Sequence, residues 1–501
     1  MAEDAYAHRR DVAGQLREAG HPPYPHRWHN WEGRVSAREA AAHGEGLAAE
    51  QRTETRVRVA GRVVQTRIMG KASFAHIVDD GCKLQLYLKR DILGEDPYQL
   101  FKKKIHVGDF IGIEGTIFKT RTGETSVEVA SITVLAKALR GLPEKWHGLQ
   151  DTDTRYRKRH LDLIANPEVR RGFEIRSRLI GSIRRTFSNL GFLEVETPIL
   201  IHQAGGATAR PFVTHHNVLD ADLFLRIATE LPLKKLLVGG FPAVYEIGRI
   251  FRNEGIDTSH NPEFTTLEAY QAYTDYHGMA ALFERMMDDA CAALGIETVD
   301  YKGRKINLKP PYRRLYLPEI WREKVGADIH EILEGKGFHS GRLRELAAAK
   351  AIEAKADTPD AKIFDRLLEK FIEPELQEPT FLFDHPTAIT PLAKCKERTG
   401  GGVDESLVER FELFISGMEV ANAYTELNDP EDQRARFAEQ AKQKAGGHDE
   451  AELLDEDFVE AMEHGMPPMG GIGFGIDRLT MLLAGTPSIR EVILFPTLKK
   501  E

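Results

Sequence analysis

Phe251-Arg252-Asn253-Glu254 and His260-Asn261-Pro262-Glu263-Phe264 enclose a short polar loop, and the segments on either side, Val244 to Phe251 and Phe264 to Tyr273, read as two strands. Together they make a hairpin with a long loop. On the second strand Phe264, Thr266, Glu268 and Tyr270 share one face, because side chains alternate with period two. A face carrying Glu and Tyr in that order suits a binding site as well as a solvated sheet surface, and these residues alone leave both readings open.

A second region bears on that choice. Phe411-Glu412-Leu413-Phe414-Ile415 is apolar with one embedded acid, and after Gly417 comes Met418-Glu419-Val420-Ala421-Asn422-Ala423-Tyr424-Thr425-Glu426-Leu427. Acids interleaved with core-type residues are costly unless they are paired or bound to a metal. Asn422 and Glu426 share parity and Glu419 does not, so a bend or bulge is needed if all three act together. Further on, Gly471-Ile472-Gly473-Phe474-Gly475 leads into a helix expected to start near Asp477. Its spacing is wrong for a dinucleotide fingerprint, no βαβ unit surrounds it, and no G-x-x-x-x-G-K-[ST] phosphate loop occurs in the chain. By itself this run suggests close backbone packing.

The rest of the chain divides by pattern. Residues 1 to about 50 read as helices broken at Pro22-Pro23-Tyr24-Pro25. From about 55 the period becomes two, and five short strands follow within 90 residues. Leu84, Leu86 and Leu88 lie on one face, and Asp80-Gly81 and Arg121-Thr122-Gly123-Glu124 mark turns. Five short strands fit a small closed barrel of the OB type, whose second and third strands commonly bind oligonucleotides. A connector begins at Gly141-Leu142-Pro143. Phe173, Ile180, Ile183, Phe187 and Leu190 recur at helical spacing before Gly191, and Phe192 to Leu200 is extended around Pro198. Residues 327–372 read as a helical insertion, and 431–464 are also helical in pattern. The expected domains are a helical extension 1–54, a barrel 55–140, a connector 141–160 and an α+β domain 161–501.

With 501 residues, 42% of them hydrophobic, the chain has ample material for two or three cores. No segment is apolar enough to span a bilayer, and the acidic start Met1-Ala2-Glu3-Asp4 does not resemble a secretory signal. Cys82, Cys291 and Cys395 are scattered and form no C-x-x-C pair, which points to buried thiols in a reducing cytoplasm. The net charge of −9 argues against a protein coated with nucleic acid, but a mild basic excess over residues 1–140 leaves room for a local RNA site.

Taken in order, Gly191-Phe192-Leu193-Glu194-Val195-Glu196-Thr197-Pro198, the hairpin from Phe251 to Phe264, and Gly471 to Gly475 with Ile476-Asp477-Arg478 resemble the three motifs of the class II aminoacyl-tRNA synthetases. The resemblance runs from about residue 55 to the end of the chain. Gly205-Gly206-Ala207-Thr208-Ala209-Arg210-Pro211-Phe212 and Asn422 to Pro430 are similar to the lysine branch of that family. It implies a six-stranded antiparallel sheet flanked by helices, and ATP-dependent lysine activation followed by transfer to tRNA(Lys). It implies that Arg252 and Arg478 carry catalysis, that Glu254, His260, Asn261, Phe264 and Glu412 join them around ATP, and that Glu412 and Glu419 hold Mg²⁺. Gly206, Glu230, Glu268, Tyr270, Asn422 and Glu426 would hold lysine. In the barrel, Arg67, Phe74, Gln85 and Glu124 would read the anticodon, with Phe74 stacking on a splayed base. A homodimer through the first motif is implied as well. Thr229, Pro232 and Thr390 depart from the family's usual proline, large residue and serine. Two rivals share this scaffold: a paralogue that lysylates a protein or lipid, and a non-catalytic RNA-binding regulator.

Overall fold

The computed structural model describes residues 2–500 apart from 30, 144–148, 204, 208 and 446–454. Parts of the connector, of the 205–212 string and of the 431–464 segment therefore lie outside the described residues. The chain divides into two compact units, Met1–Glu168 and Val169–Glu501, so the division falls a little beyond the expected end of the connector.

In the first unit five strands, β1 (Arg52–Met69), β2 (Ala72–Asp79), β3 (Cys82–Lys89), β4 (Phe110–Lys119) and β5 (Thr125–Ala136), close in the order β1-β2-β3-β5-β4. Closure leaves no sheet edge. Alternation works as the sequence implies, with Val57, Val59, Ala75, Ile77, Leu84, Leu86, Leu88, Ile111 and Ile113 filling the interior. The helix Ala37–Ala42 begins with a Ser36/Glu39 capping box and buries Ala37 and Ala40 against that core. The helices Arg90–Leu93 and Glu95–Lys104 between β3 and β4 escaped the period-two reading. They are short, and Tyr98 and Phe101 plug the barrel from them.

The second unit is built on a nine-stranded sheet. Its centre is the antiparallel series Thr380–Pro386, Val403–Ile415, Met418–Thr425, Met469–Gly475, Glu263–Ala272, Ala243–Phe251. That is the expected six-stranded core. Leu193–Glu194 and Arg313–Tyr316 extend it by parallel pairing at its two ends, and Cys395–Glu397 pairs beside Val403–Ile415. The glycine-rich run is thus a central strand, and it leads directly into the expected final helix, Ile476–Ala484. The helix Arg170–Asn189 packs on Tyr276–Leu294 over one side of the sheet, burying Ile175, Leu179, Ile183 and Phe187 with Leu267, Ala269, Ala421 and Ala423. Leu190, expected in that stripe, is 42% exposed, because the helix stops at Asn189 and Phe187 takes the inward position of the last turn. Phe173 is half-buried.

Residues 327–372 hold the helices Ser340–Ala349 and Asp360–Phe371 and a two-stranded ribbon. Trp321 stacks on Phe364 at 5.1 Å, and this core includes Leu382, Leu407 and Phe414 of the sheet, so the insertion is anchored by its own apolar cluster. Of the cysteines only Cys291 is fully buried; Cys82 and Cys395 are half-buried, and all three are free thiols. Among the described residues no helix is long and apolar enough to cross a membrane.

Candidate active site

A cavity of about 460 Å³ opens where the alternate residues of the central strands face away from the helices. Phe264, Thr266, Glu268 and Tyr270 line it from one strand, and Asn422 and Tyr424 from another. Glu419 joins them through the bulge its parity required. Leu413 pairs with Ala421 but Phe414 pairs with Glu419, so Val420 is the extra residue that turns Glu419 to the cavity side.

One end of the cavity is acidic. Glu230 opens the helix Glu230–Val238, and Glu268 and Glu426 converge on it from neighbouring elements. Burial pushes Glu268 up to about 7, and the nearby Glu230 charge adds to this. Glu268 accepts the Thr229 backbone N–H at 3.1 Å and the Tyr270 hydroxyl at 3.3 Å. A proline at 229 has no N–H to give, so this departure adds a bond to the pocket. Pro232 falls in the first helical turn, where its missing N–H costs nothing. Gly206 closes this end with φ +80, a left-handed conformation that favours glycine, and its missing side chain faces Ala228 and Glu230. A Cβ on Gly471 would collide with Glu426 Oε1 and Tyr270, so close approach demands glycine there too.

The other end is cationic. Arg252 lies 5.4 Å over the Phe264 ring, and its buried Nε has no partner among the described residues. Burial lowers its pKa, with Glu254, Glu268 and Glu419 opposing that. Arg478 donates to the Glu419 carbonyl at 2.5 Å and lies 3.6 Å from its carboxylate. Glu254 and His260 are exposed on the hairpin loop at the rim, and His260 Nδ1 pairs with Asp257 at 2.8 Å. Asn261 lines the cavity, but its amide is engaged by backbone: Nδ2 donates to Glu263 O at 2.6 Å and Oδ1 accepts from Thr497 N at 3.2 Å.

Glu412 is not among the residues lining this cavity. Its carboxylate is held by Arg410, a half-buried cation that the sequence reading passed over. Arg410 also donates to Asn422 Oδ1 at 3.2 Å and to Thr390 Oγ1 at 2.8 Å, and Asn422 Nδ2 donates to the Tyr424 hydroxyl at 3.1 Å. Threonine at 390 therefore keeps the hydroxyl that Arg410 uses. Glu412 and Glu419 offer the hard oxygen donors that a divalent cation prefers. Burial and the Glu412 charge push Glu419 up. Nearby, burial and surrounding acids raise Glu373 to about 7 and Asp365 to about 6. Four acids this close, with only Arg410 on Glu412 and Arg478 near Glu419 to offset them, fit a bound cation. Among the described residues no three potential ligands converge on a metal site.

Two further residues were missed. Asp477 is buried and accepts from Arg176 at 2.5 Å and from the Thr265 N–H at 2.6 Å, while Arg176 also donates to Thr265 Oγ1 at 2.9 Å. One carboxylate thereby ties the first-motif helix, the hairpin strand and the final helix together. Lys234 is buried behind the acidic end and pairs with Glu230 and Glu426. The available signal for both was a charge in an otherwise apolar helical stretch.

On the barrel, Phe74 stands opposite Tyr87 with rings 5.0 Å apart, and Arg67 is the register partner of Phe74 on β1. Gln85 donates to Glu124 at 2.5 Å and accepts from Ser126 at 2.7 Å, and His76 Nε2 lies 3.0 Å from Glu124. The four expected residues thus share one outer patch with His76 and Tyr87.

A fold of this kind, with a cavity set between arginines and acids, agrees with what comparison with known proteins finds. Residues 151–499 match the family described as tRNA synthetases class II (D, K and N), and residues 57–135 match the OB-fold nucleic acid binding domain. The chain is a class II tRNA synthetase. It is 48% identical over 497 residues to the lysine–tRNA ligase of Moorella thermoacetica, covering 99% of this chain and 98% of that protein. To the lysine–tRNA ligase of Enterococcus faecalis it is 47% identical over 515 aligned residues with both chains fully covered, and to that of Bacillus subtilis 46% identical over 495, covering 98% and 96%. It belongs to the lysine–tRNA ligase family.

Proposed function

We propose that this chain activates L-lysine with ATP and transfers the lysyl group to the 3′ end of tRNA(Lys). A lysine carboxylate oxygen attacks the α-phosphorus, pyrophosphate leaves, and a terminal ribose hydroxyl of the tRNA then attacks the lysyl carbonyl to release AMP. No protein nucleophile is needed, and catalysis rests on alignment and charge neutralisation. Arg252 meets the α-phosphate and the reacting carboxylate. Phe264 and Arg478 sandwich the adenine, with Arg478 also near the γ-phosphate, and Glu254, His260 and Asn261 surround the nucleotide at the rim. Glu412 and Glu419 hold Mg²⁺, which supplies charge neutralisation on the phosphates when bound. Glu230 and Gly206 take the α-amino group, Asn422 assists the carboxylate, and Glu268, Glu426 and Tyr270 take the side-chain ammonium.

The observation that carries this reading is the polarity of one cavity, acidic at Glu230, Glu268 and Glu426 and cationic at Arg252 and Arg478. A pocket for a negatively charged amino acid would need a cation where those acids converge. The barrel patch of Arg67, Phe74, Gln85 and Glu124 serves the anticodon, and its presence favours tRNA over a protein or lipid acceptor. The intact Arg252, Arg478 and Glu412/Glu419 set favours an enzyme over a regulator. Exposed Leu193, Leu200 and Val213, on and beside the first motif, support a homodimer there. We place the reaction in the cytoplasm, where translation consumes its product. The test is amino-acid-dependent ATP–pyrophosphate exchange run across all twenty amino acids without tRNA. Exchange with lysine alone is expected, and exchange with a different amino acid would overturn the pocket assignment.

A further inference from the structure

Lys234 is the least accessible cation around the site. Its side chain is 1% exposed, and it is not among the cavity-lining residues. It projects from the helix Glu230–Val238 into the space behind the acidic end. Nζ lies 2.5 Å from Glu230 Oε1, contacts Glu426 Oε2, and sits 5.9 Å from the ring centres of both Tyr270 and Phe458. Burying an ammonium this completely is costly, and a bond to Glu230 one turn away on the same helix would not require it. What the burial achieves is contact with a second acid from a different element.

Glu426 is the acid that needs such a partner. It is 1% exposed, and Oε1 has no hydrogen-bond partner among the described residues. That oxygen lies against Gly471, where a side chain would collide with it. Oε2 likewise has no hydrogen-bond partner and meets the Lys234 ammonium as an ion pair, so the carboxylate is held by charge at one oxygen and unpartnered at the other. Burial works against the charged form of Lys234, but Glu230 and Glu426 more than offset it, so the ammonium stays charged. Burial raises the Glu426 carboxyl above the usual carboxylate range, and Lys234 is the first group opposing that.

We propose that Lys234 is a positioning residue for amino-acid selection, supplying the buried counter-charge for Glu426 and fixing its carboxylate so that Oε1 stays open to the side-chain ammonium of the incoming amino acid. The inference rests on the lysine-pocket reading above and adds a residue to it. Without Lys234 the Glu426 carboxyl is pushed further toward its protonated form and becomes a poorer acceptor for a cation. Glu426→Gln should then cost little more in a chain that already lacks Lys234.

The test is a double-variant cycle on the full chain, measured by lysine-dependent ATP–pyrophosphate exchange. Lys234→Met should raise the KM for lysine about thirtyfold or more, with kcat and the KM for ATP within about threefold of the unsubstituted protein. Glu426→Gln should do the same, and the double variant, in which the residue at 426 no longer needs a counter-charge and which so guards against misfolding of the single one, should be no more than about threefold worse than the worse single variant. Losses that multiply in full would overturn the proposal, as would a lysine KM unchanged in Lys234→Met or a parallel rise in the KM for ATP. Absence of lysine-dependent exchange in the unsubstituted protein would overturn the pocket reading itself, and is thereby told apart from a failure of the Lys234 inference alone.

Discussion

Gly471→Ala is the smallest perturbation that should separate lysine binding from ATP binding. The added Cβ would fall inside van der Waals contact with Glu426 Oε1 and 2.7 Å from Tyr270 Cδ1. Neither neighbour yields readily. Tyr270 is 4% exposed and packed in a core cluster, and Glu426 is clamped by Lys234. The backbone is fixed as well, since Gly471 is paired with both Tyr270 and Tyr424 in the middle of the sheet. Overpacking a tight site costs about 1–3 kcal/mol. Placed on the lysine subsite, that corresponds to about a 5- to 150-fold rise in the lysine KM, at roughly 1.4 kcal/mol per factor of ten. The ATP end, at Arg252 and Arg478, lies beyond the contact, so the KM for ATP should change by less than about twofold. Pyrophosphate exchange titrated separately with each substrate measures both. An unchanged lysine KM in a folded variant would refute the close-packing account of this strand and the assignment of Glu426 as a lysine ligand.

Other expectations follow from the same geometry. Arg478→Ala should cut exchange by roughly 10²–10³ with the melting temperature little changed, since the side chain lies at the cavity and its loss removes charge stabilisation; near-normal exchange would refute its role. Burial raises Glu268 to about 7, so the empty pocket gains a proton as pH falls through that value, and kcat/KM for lysine should drop between about pH 8 and pH 6. Glu268→Gln should flatten the profile in that window, and a persisting slope would assign the titration elsewhere. Phe74→Ala should leave tRNA-free exchange intact and lower tRNA charging about tenfold or more, as loss of one stacking platform does; equal charging would remove the barrel patch from recognition.

The sequence showed most where period and parity were unambiguous. The alternation of Leu84, Leu86 and Leu88 defined a barrel interior, and Phe264 to Tyr270 defined the cavity face. Even the parity conflict of Glu419 was informative, because it demanded the bulge that the structure has at Val420. What stayed hidden was pairing between distant segments. Lys234 reads as an ordinary basic residue on a helix until Glu426 is brought beside it. Arg410 reads as the solvated end of a strand until Thr390, Glu412 and Asn422 surround it. The flanking strands Leu193–Glu194 and Arg313–Tyr316 are too short for any periodicity to register. The helices Arg90–Leu93 and Glu95–Lys104 were lost for a similar reason, since helices of one to about three turns barely establish a period.

The position of Met469–Gly475 in the sheet has a bearing on how the protein is made. It is the latest of the sheet's strands in chain order, yet it sits between Glu263–Ala272 and Met418–Thr425, near the middle. A growing polypeptide therefore carries two partial sheets with facing unpaired edges until this segment emerges, which is when exposed edges invite association with other chains. The same segment brings Gly471 to the acidic pocket and leads directly into Asp477 and Arg478. A product that stops short of it lacks its own centre as well as its chemistry, so prematurely terminated chains should expose themselves to proteolysis instead of persisting as folded, substrate-sequestering fragments.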